Sequence, residues 1–244
     1  MRKLFFIILI GIIYGCDSAE APDCLKSAGG NITNSIPLDS FNELIINNDF
    51  NVILTQGVEQ SVTLTIGENI FNDISFEVIN NILEVKNNVG CKWVRKYDYP
   101  TIEITHPNLE LIEIVGGSLV TTTNVLTYPN LLLKAKDSNG VFTLNVNSDN
   151  LTIDSNEITN YYLNGITTNL NIQLTSGDGR IEAGLLTTTN ANISHASSND
   201  IIVNVTNELN VTINSTGNVI YVGQEPTSIN TVIQERGSVI NGVN

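Results

Sequence analysis

The chain has 244 residues, of which 41% are hydrophobic, 15% charged and 6% aromatic. So much apolar side chain excludes a disordered acidic tail and is enough for a sizeable core. Eleven basic against 25 acidic residues give a formal charge of -14, which argues against nucleic acid and anionic lipid surfaces as partners, because both demand a basic face.

Residues 1–16 read MRKLFFIILIGIIYGC. Arg2 and Lys3 precede an apolar run over residues 4–13, the layout of a secretory signal segment and too short for a permanent bilayer helix, which needs about 20 apolar residues. Ile13-Tyr14-Gly15-Cys16 resembles a lipobox, which marks Cys16 as the lipidated residue. The alternative is a plain secretory peptide that contains a cysteine. A single acyl chain holds a protein only marginally, at about 0.8 kcal/mol per buried methylene, so the several chains of a bacterial lipoprotein are what make such an anchor firm. Residues 17–35 are expected to form a polar tether, and a single domain is expected over 36–244. The expected partner is therefore a membrane, reached through lipid. The expected location is the cell envelope, at the outer membrane, on either its surface or its periplasmic face.

Two further cysteines, Cys24 and Cys91, permit one disulfide in an oxidising compartment. Two unpaired thiols are the alternative. With His106 and His195 remote from both in sequence, the four residues have no zinc-ligand spacing.

Leu, Ile and Val interleaved with Thr, Asn, Ser and Gly are the composition of many strands joined by tight turns. Period-two alternation bounded by Gly, Asn or Pro marks strands at 44–46, 50–54, 61–66, 82–86 and 101–105. Only residues 68–79 have room for a helical turn. This first part, residues 36–107, is irregular in spacing.

From residue 108 onward the chain becomes a loose repeat of about 20 residues, with units opening at Leu131, Leu151, Leu170, Ala191 and Leu209. A unit this short cannot bury its own apolar face and must stack on its neighbours. Two all-β architectures satisfy that requirement. In a parallel β-helix each unit is one coil, and Leu151, Leu170 and Leu209 share an internal ladder. In an antiparallel β-sandwich each unit is a hairpin. Near-constant spacing and the lack of long connections favour the β-helix, whose Asn-rich turns can hydrogen-bond from rung to rung.

The segments at 36–57 (IPLDSFNELIINNDFNVILTQG), 99–118 (YPTIEITHPNLELIEIVGGS) and 215–226 (STGNVIYVGQEP) resemble the auto-transporter adhesin head domain called the GIN domain, common in Bacteroidetes lipoproteins. The likeness spans nearly all of 36–241. It departs from the family in the turns, which read DSNG, TSGDG, SSND and STGN in place of Ser-Gly-Ser-Gly. The resemblance implies a right-handed, β-helix-like fold on an envelope lipoprotein, and it implies no ligand-binding residues.

A polysaccharide-modifying β-helix enzyme needs carboxylates converging across a cleft, about 5 to 9.5 Å apart. Asp137, Asp154, Asp178 and Asp200 occupy different offsets in their units, so they form no acidic ladder. Arg180 beside Asp178 reads as a solvated ion pair at a turn, and His195 in NISHASSND reads as an exposed turn residue. The residues most suggestive of ligand contact are Lys92, Trp93, Arg95, Lys96, Tyr97 and Tyr99, a cluster of aromatics and cations suited to a glycan. The competing reading places Trp93 as a cover over one end of the stack. Tyr161, Tyr162 and Tyr221 read as rung residues, and the sequons at Asn150, Asn192, Asn204, Asn210 and Asn214 follow from composition. The function expected is non-enzymatic, with no cofactor: adhesion or contact with a glycan or other envelope component. A glycan-modifying enzyme and a scaffold module are the alternatives.

Overall fold

The computed structural model describes residues 27–91 and 97–242. Cys16 and Cys24 lie outside these, as do residues 92–96.

The chain forms an all-β solenoid. In its later part, four long strands each run the length of two faces: β11 (Val141–Ser155), β12 (Asn160–Leu174), β13 (Arg180–His195) and β14 (Ile201–Ile213). They pair in parallel, in register, each with the next. β10 (Asn130–Lys136) precedes this block, and β15 (Val219–Tyr221), β16 (Ser228–Ile233) and β17 (Val239–Asn241) follow it, all in parallel pairing. Partners in adjacent coils are 18 to 21 residues apart, from Leu131 through Leu151, Leu170, Ala191 and Leu209 to Ile229. Leu151, Leu170 and Leu209 thus share one buried column, as the repeat predicts.

The first part of the chain joins the same stack, out of chain order. β2 (Glu43–Asn47) lies between β6 (Ile82–Asn87) and β8 (Leu111–Val115), parallel to both. β3 (Asn51–Gln56) lies likewise between β7 (Thr101–His106) and β9 (Leu119–Thr122). β8 and β9 then lead into β10 and β11. Antiparallel strands close this end: β4 (Ser61–Gly67) on β7, β1 (Asn31–Ser35) on β4, and β5 (Ile74–Ile79) on β6. They give the outer edges of β6 and β7 a partner, which an exposed edge needs if it is not to template aggregation. Glu68–Asp73 is a 3-10 helix. The rest of the region with room for a helical turn is strand β5, because Asn80 and Asn81, at φ 53° and 65°, provide the paired positive-φ turn that closes a hairpin with β6.

Two long columns hold the core. One runs Leu83, Leu44, Ile112, Leu133, Ile153, Ile172, Ile193 and Val211, all buried. The other runs Ile102, Val52, Val120, Phe142, Tyr161, Ile181, Ile201 and Val219. Within it the Phe142 and Tyr161 rings stack at 5.1 Å, 10° from parallel. Where the long strands bend between faces, Ser148, Thr167 and Thr188 are buried but satisfied. Ser148 Oγ lies 3.0 Å from Thr167 Oγ1, and Thr167 and Thr188 donate to the carbonyls of Asn169 and Leu186. Gly165, at φ 115°, lets β12 lie close against β11, since a Cβ there would fall 2.0 Å from Val146 O.

Candidate functional site: a neutral groove and a tyrosine cleft

Of the predicted contact cluster, Lys92, Trp93, Arg95 and Lys96 lie outside the described residues. Tyr97 packs in part against the core, and Tyr99 is about half exposed. Together with Asp98, Asn31, Asn51 and Thr65 they line a cleft of about 560 Å³ at the capped end of the stack. Cys91 is disulfide-bonded, and Cys24, the partner suggested by the sequence, falls outside the described residues.

The acidic residues do not gather. Asp178 accepts a hydrogen bond from Ser198 Oγ at 2.7 Å, and Asp200 accepts from the backbone and side-chain nitrogens of Asn218 at 3.0 and 2.9 Å. Both therefore brace one turn against the next. Asp137 sits in a turn at φ 47°, and Asp154 lies in β11. Arg180 corrects the sequence reading: its partner is Glu182, two residues on along the strand, and not Asp178. Alternation puts residues i and i+2 on one face of a strand, whereas Asp178 precedes the strand. Among the described residues, no three His, Cys, Asp or Glu side chains converge on a metal-sized site.

His195 is a second correction. It is fully buried at the end of β13, in the internal column between Leu174 and Ile213. Ala191, Ile193 and His195 share one phase of the alternation, so the strand itself turns the imidazole inward. Nδ1 accepts the Ser197 N–H at 3.4 Å, and Nε2 has no hydrogen-bond partner. Burial lowers the pKa, against smaller upward contributions from the Asn199 backbone and Asp200. His106 is structural. It packs on Phe41 at 4.8 Å, accepts the Asn108 N–H at 3.2 Å, and its pKa is also lowered by burial. Tyr128 donates to the His106 carbonyl at 3.2 Å, and burial pushes its hydroxyl up to about 12.

Rung-to-rung hydrogen bonds between asparagines were expected at the turns; the structure places them instead in two ladders along the strands. One follows the bend: Asn150, Asn169, Asn190 and Asn207 each donate to the Oδ1 of the asparagine one coil back, beginning at Asn130, at 2.7 to 3.3 Å. A second runs up the outside of one face. There Asn192 donates to Asn171, Asn210 to Asn192 and Asn230 to Asn210, at 3.2, 2.9 and 2.9 Å. This second ladder lines a groove of about 750 Å³ with Gln173 and Thr212. The available signal was the recurring Asn as second residue of a unit, in Leu170-Asn171, Ala191-Asn192, Leu209-Asn210 and Ile229-Asn230.

Residues 40–224 match the family described as "Putative auto-transporter adhesin, head GIN domain". The chain belongs to this family. Three solved structures share the GIN-domain fold. A putative adhesin from Bacteroides fragilis is 24% identical at a TM-score of 0.77, over 87% of this chain and 97% of that one. A putative lipid binding protein from Parabacteroides distasonis is 18% identical at 0.65, over 87% and 96%. A putative adhesin from Parabacteroides merdae is 17% identical at 0.59, over 88% and 97%. No curated protein sequence matches the chain. No helix among the described residues of this GIN-domain protein is long and apolar enough to cross a membrane.

Proposed function

We propose that this GIN-domain protein is a non-enzymatic binding module of the bacterial cell envelope, held there by lipid on Cys16 and acting in adhesion. One observation carries the reading. Asp178 and Asp200, through Ser198 and Asn218, brace one turn of the solenoid against the next, and long uninterrupted strand faces point outward. A repetitive face suits extended contact better than turnover, which needs reactive groups brought to one point. The head-domain family and the fold shared with proteins named as adhesins support the same role. The signal-like segment ending in Ile13-Tyr14-Gly15-Cys16 supports the anchor, and the outer membrane is the proposed site of attachment.

Protease and antibody accessibility on intact cells of the native host, with lysed cells as control, tests this reading. Cleavage or labelling of intact cells is the expected result. Protection until lysis would overturn adhesion and leave an envelope scaffold. Release by a Cys16→Ser substitution tests the anchor separately.

A further inference from the structure

We propose that the groove on the outer face of the last four coils is a binding site for a neutral oligosaccharide, recognised through its hydroxyls by the Asn171–Asn192–Asn210–Asn230 ladder. This deepens the adhesion reading and rests on it only for the biological setting.

The argument starts from register. Two outward columns run up this face, and both change character half-way. The first passes from Glu43, Leu111, Leu132 and Thr152 to Asn171, Asn192, Asn210 and Asn230. The second passes from Glu84, Ile45, Glu113, Lys134 and Asp154 to Gln173, Ser194, Thr212 and Val232. In the earlier coils the second column carries an ion pair, Lys134 with Glu113 at 3.5 Å. From Gln173 onward neither column holds a charge, on a chain of net charge -14. The groove of about 750 Å³ lies over this uncharged part, and no Asp, Glu, Lys or Arg lines it.

That chemistry selects its ligand. An anionic ligand would want a cation, and none lines the groove; a cationic one would want a carboxylate, and the one beside the ladder, Glu208, is engaged by Asn210 at 3.2 Å. An apolar ligand would strip water from the amides without replacing their hydrogen bonds, which opposes its binding. A polyhydroxylated neutral chain pays no such penalty, because each hydroxyl both donates and accepts. The amides have capacity to spare. A carboxamide has two N–H donors and two acceptor lone pairs, and the ladder takes one donor and one lone pair from Asn192. Asn210 uses both protons, on Asn192 and on Glu208, and keeps an acceptor position. Successive coils repeat every 4.7–4.9 Å or so, so these groups form a regular row along which an extended sugar chain can lie.

The bend ladder has a different place. Asn150, Asn169 and Asn190 are partly buried where the strands turn, which is a sufficient reason for their hydrogen bonds. On the face Asn192 and Asn230 are exposed and Asn171 and Asn210 half-buried, and the same bonds also hold these amides in a fixed direction. No aromatic side chain lines the groove, so hydrogen bonds and not ring stacking define the site. Affinity of one copy is then modest, and many copies on a cell surface raise it by avidity.

The test is affinity electrophoresis of the full-length protein in detergent through gels containing β-1,4-glucan, β-1,3-glucan, α-mannan or galactan, with polygalacturonate as acidic control. The expected result is retardation by at least one neutral polymer and not by polygalacturonate, with affinity falling about tenfold or more in the double variant Asn192→Asp, Asn210→Asp. Circular dichroism of the variant guards against misfolding, and Asn230→Asp at the outermost coil is the milder second variant. Lack of retardation by every neutral polymer overturns the proposal, as does retardation that neither variant changes. Sedimentation showing a dimer abolished by these variants also overturns it, because the face would then be a self-interface. Labelling on intact cells with no retardation sinks the groove but leaves adhesion standing; retardation with protection on intact cells does the reverse.

Discussion

The imidazole of His195 rests against the α-carbon of Gly217: a Cβ on Gly217 would lie 2.5 Å from Nε2. The same Cβ would meet the carbonyl oxygens of Asn199 at 2.2 Å and Ser197 at 2.7 Å. The buried histidine and the glycine one coil later are therefore a packed pair, closing the corner of the solenoid where SSND stacks on STGN.

Gly217→Ala should accordingly destabilise the protein by about 1–3 kcal/mol through overpacking against backbone, which cannot rotate away. Thermal unfolding measures this. The combination of Gly217→Ala with His195→Ala should remain well below wild type, since the carbonyl contacts persist.

Stability should fall as pH is lowered through the histidine range. Burial holds the His195 pKa below its ordinary value of 6.5, with Asp200 as the nearby acidic group opposing this. The unfolded chain then takes up a proton more readily than the folded one, so the stabilisation is complete above about 6.5 and is lost as pH falls through the folded pKa. His106 acts in the same direction. His195→Leu, which suits a column shared with Leu174 and Ile213, should shrink the drop in Tm between pH 7.5 and pH 5 relative to wild type. An unchanged drop would mean that carboxylates, and not this imidazole, govern acid sensitivity.

The bend ladder should be graded by position. Asn169 both donates to Asn150 at 3.0 Å and accepts from Asn190 at 3.3 Å, so Asn169→Ala should cost about 1–3 kcal/mol from two lost hydrogen bonds. Asn130, where the ladder begins, accepts one bond from Asn150, and Asn130→Ala should cost about half as much. Chemical denaturation of the two variants tests the order.

Two glycines should respond in opposite ways. Gly165→Ala forces a side chain into Val146 O at φ 115° and should cost about 3 kcal/mol or more. Gly30→Ala meets nothing within 4 Å, and its cost should be within about 0.5 kcal/mol. Equal losses would count against the positive φ and the close Val146 carbonyl as the reason for Gly165.

We propose Cys24 as the partner of Cys91. Peptide mapping without reductant should recover the two linked, and Cys91→Ser should lose about 2–4 kcal/mol. Linkage of Cys91 to Cys16 would refute both this pairing and lipidation of Cys16.

What the sequence determined by itself is what lies in local, periodic patterns. Units opening at Leu131, Leu151, Leu170 and Leu209 are short enough that stacking is the only way to bury them, and their near-constant spacing favoured the coil over the hairpin, a choice that the parallel register decides. The family could be read from three segments for the same reason. The position of β2 between β6 and β8 was not legible, because no local pattern says that a coil from residues 82–106 passes beneath one from residues 43–56. His195 was half legible: its phase with Ala191 and Ile193 points inward, but its polar neighbours in SHASSND suggest a turn, and burial beneath Gly217 decides the matter. The neutral groove belongs to the tertiary structure alone. Asn171 and Asn192 are 21 residues apart in the chain and 3.2 Å apart between their amides, and only the register of parallel coils, a long-range property, sets one above the other.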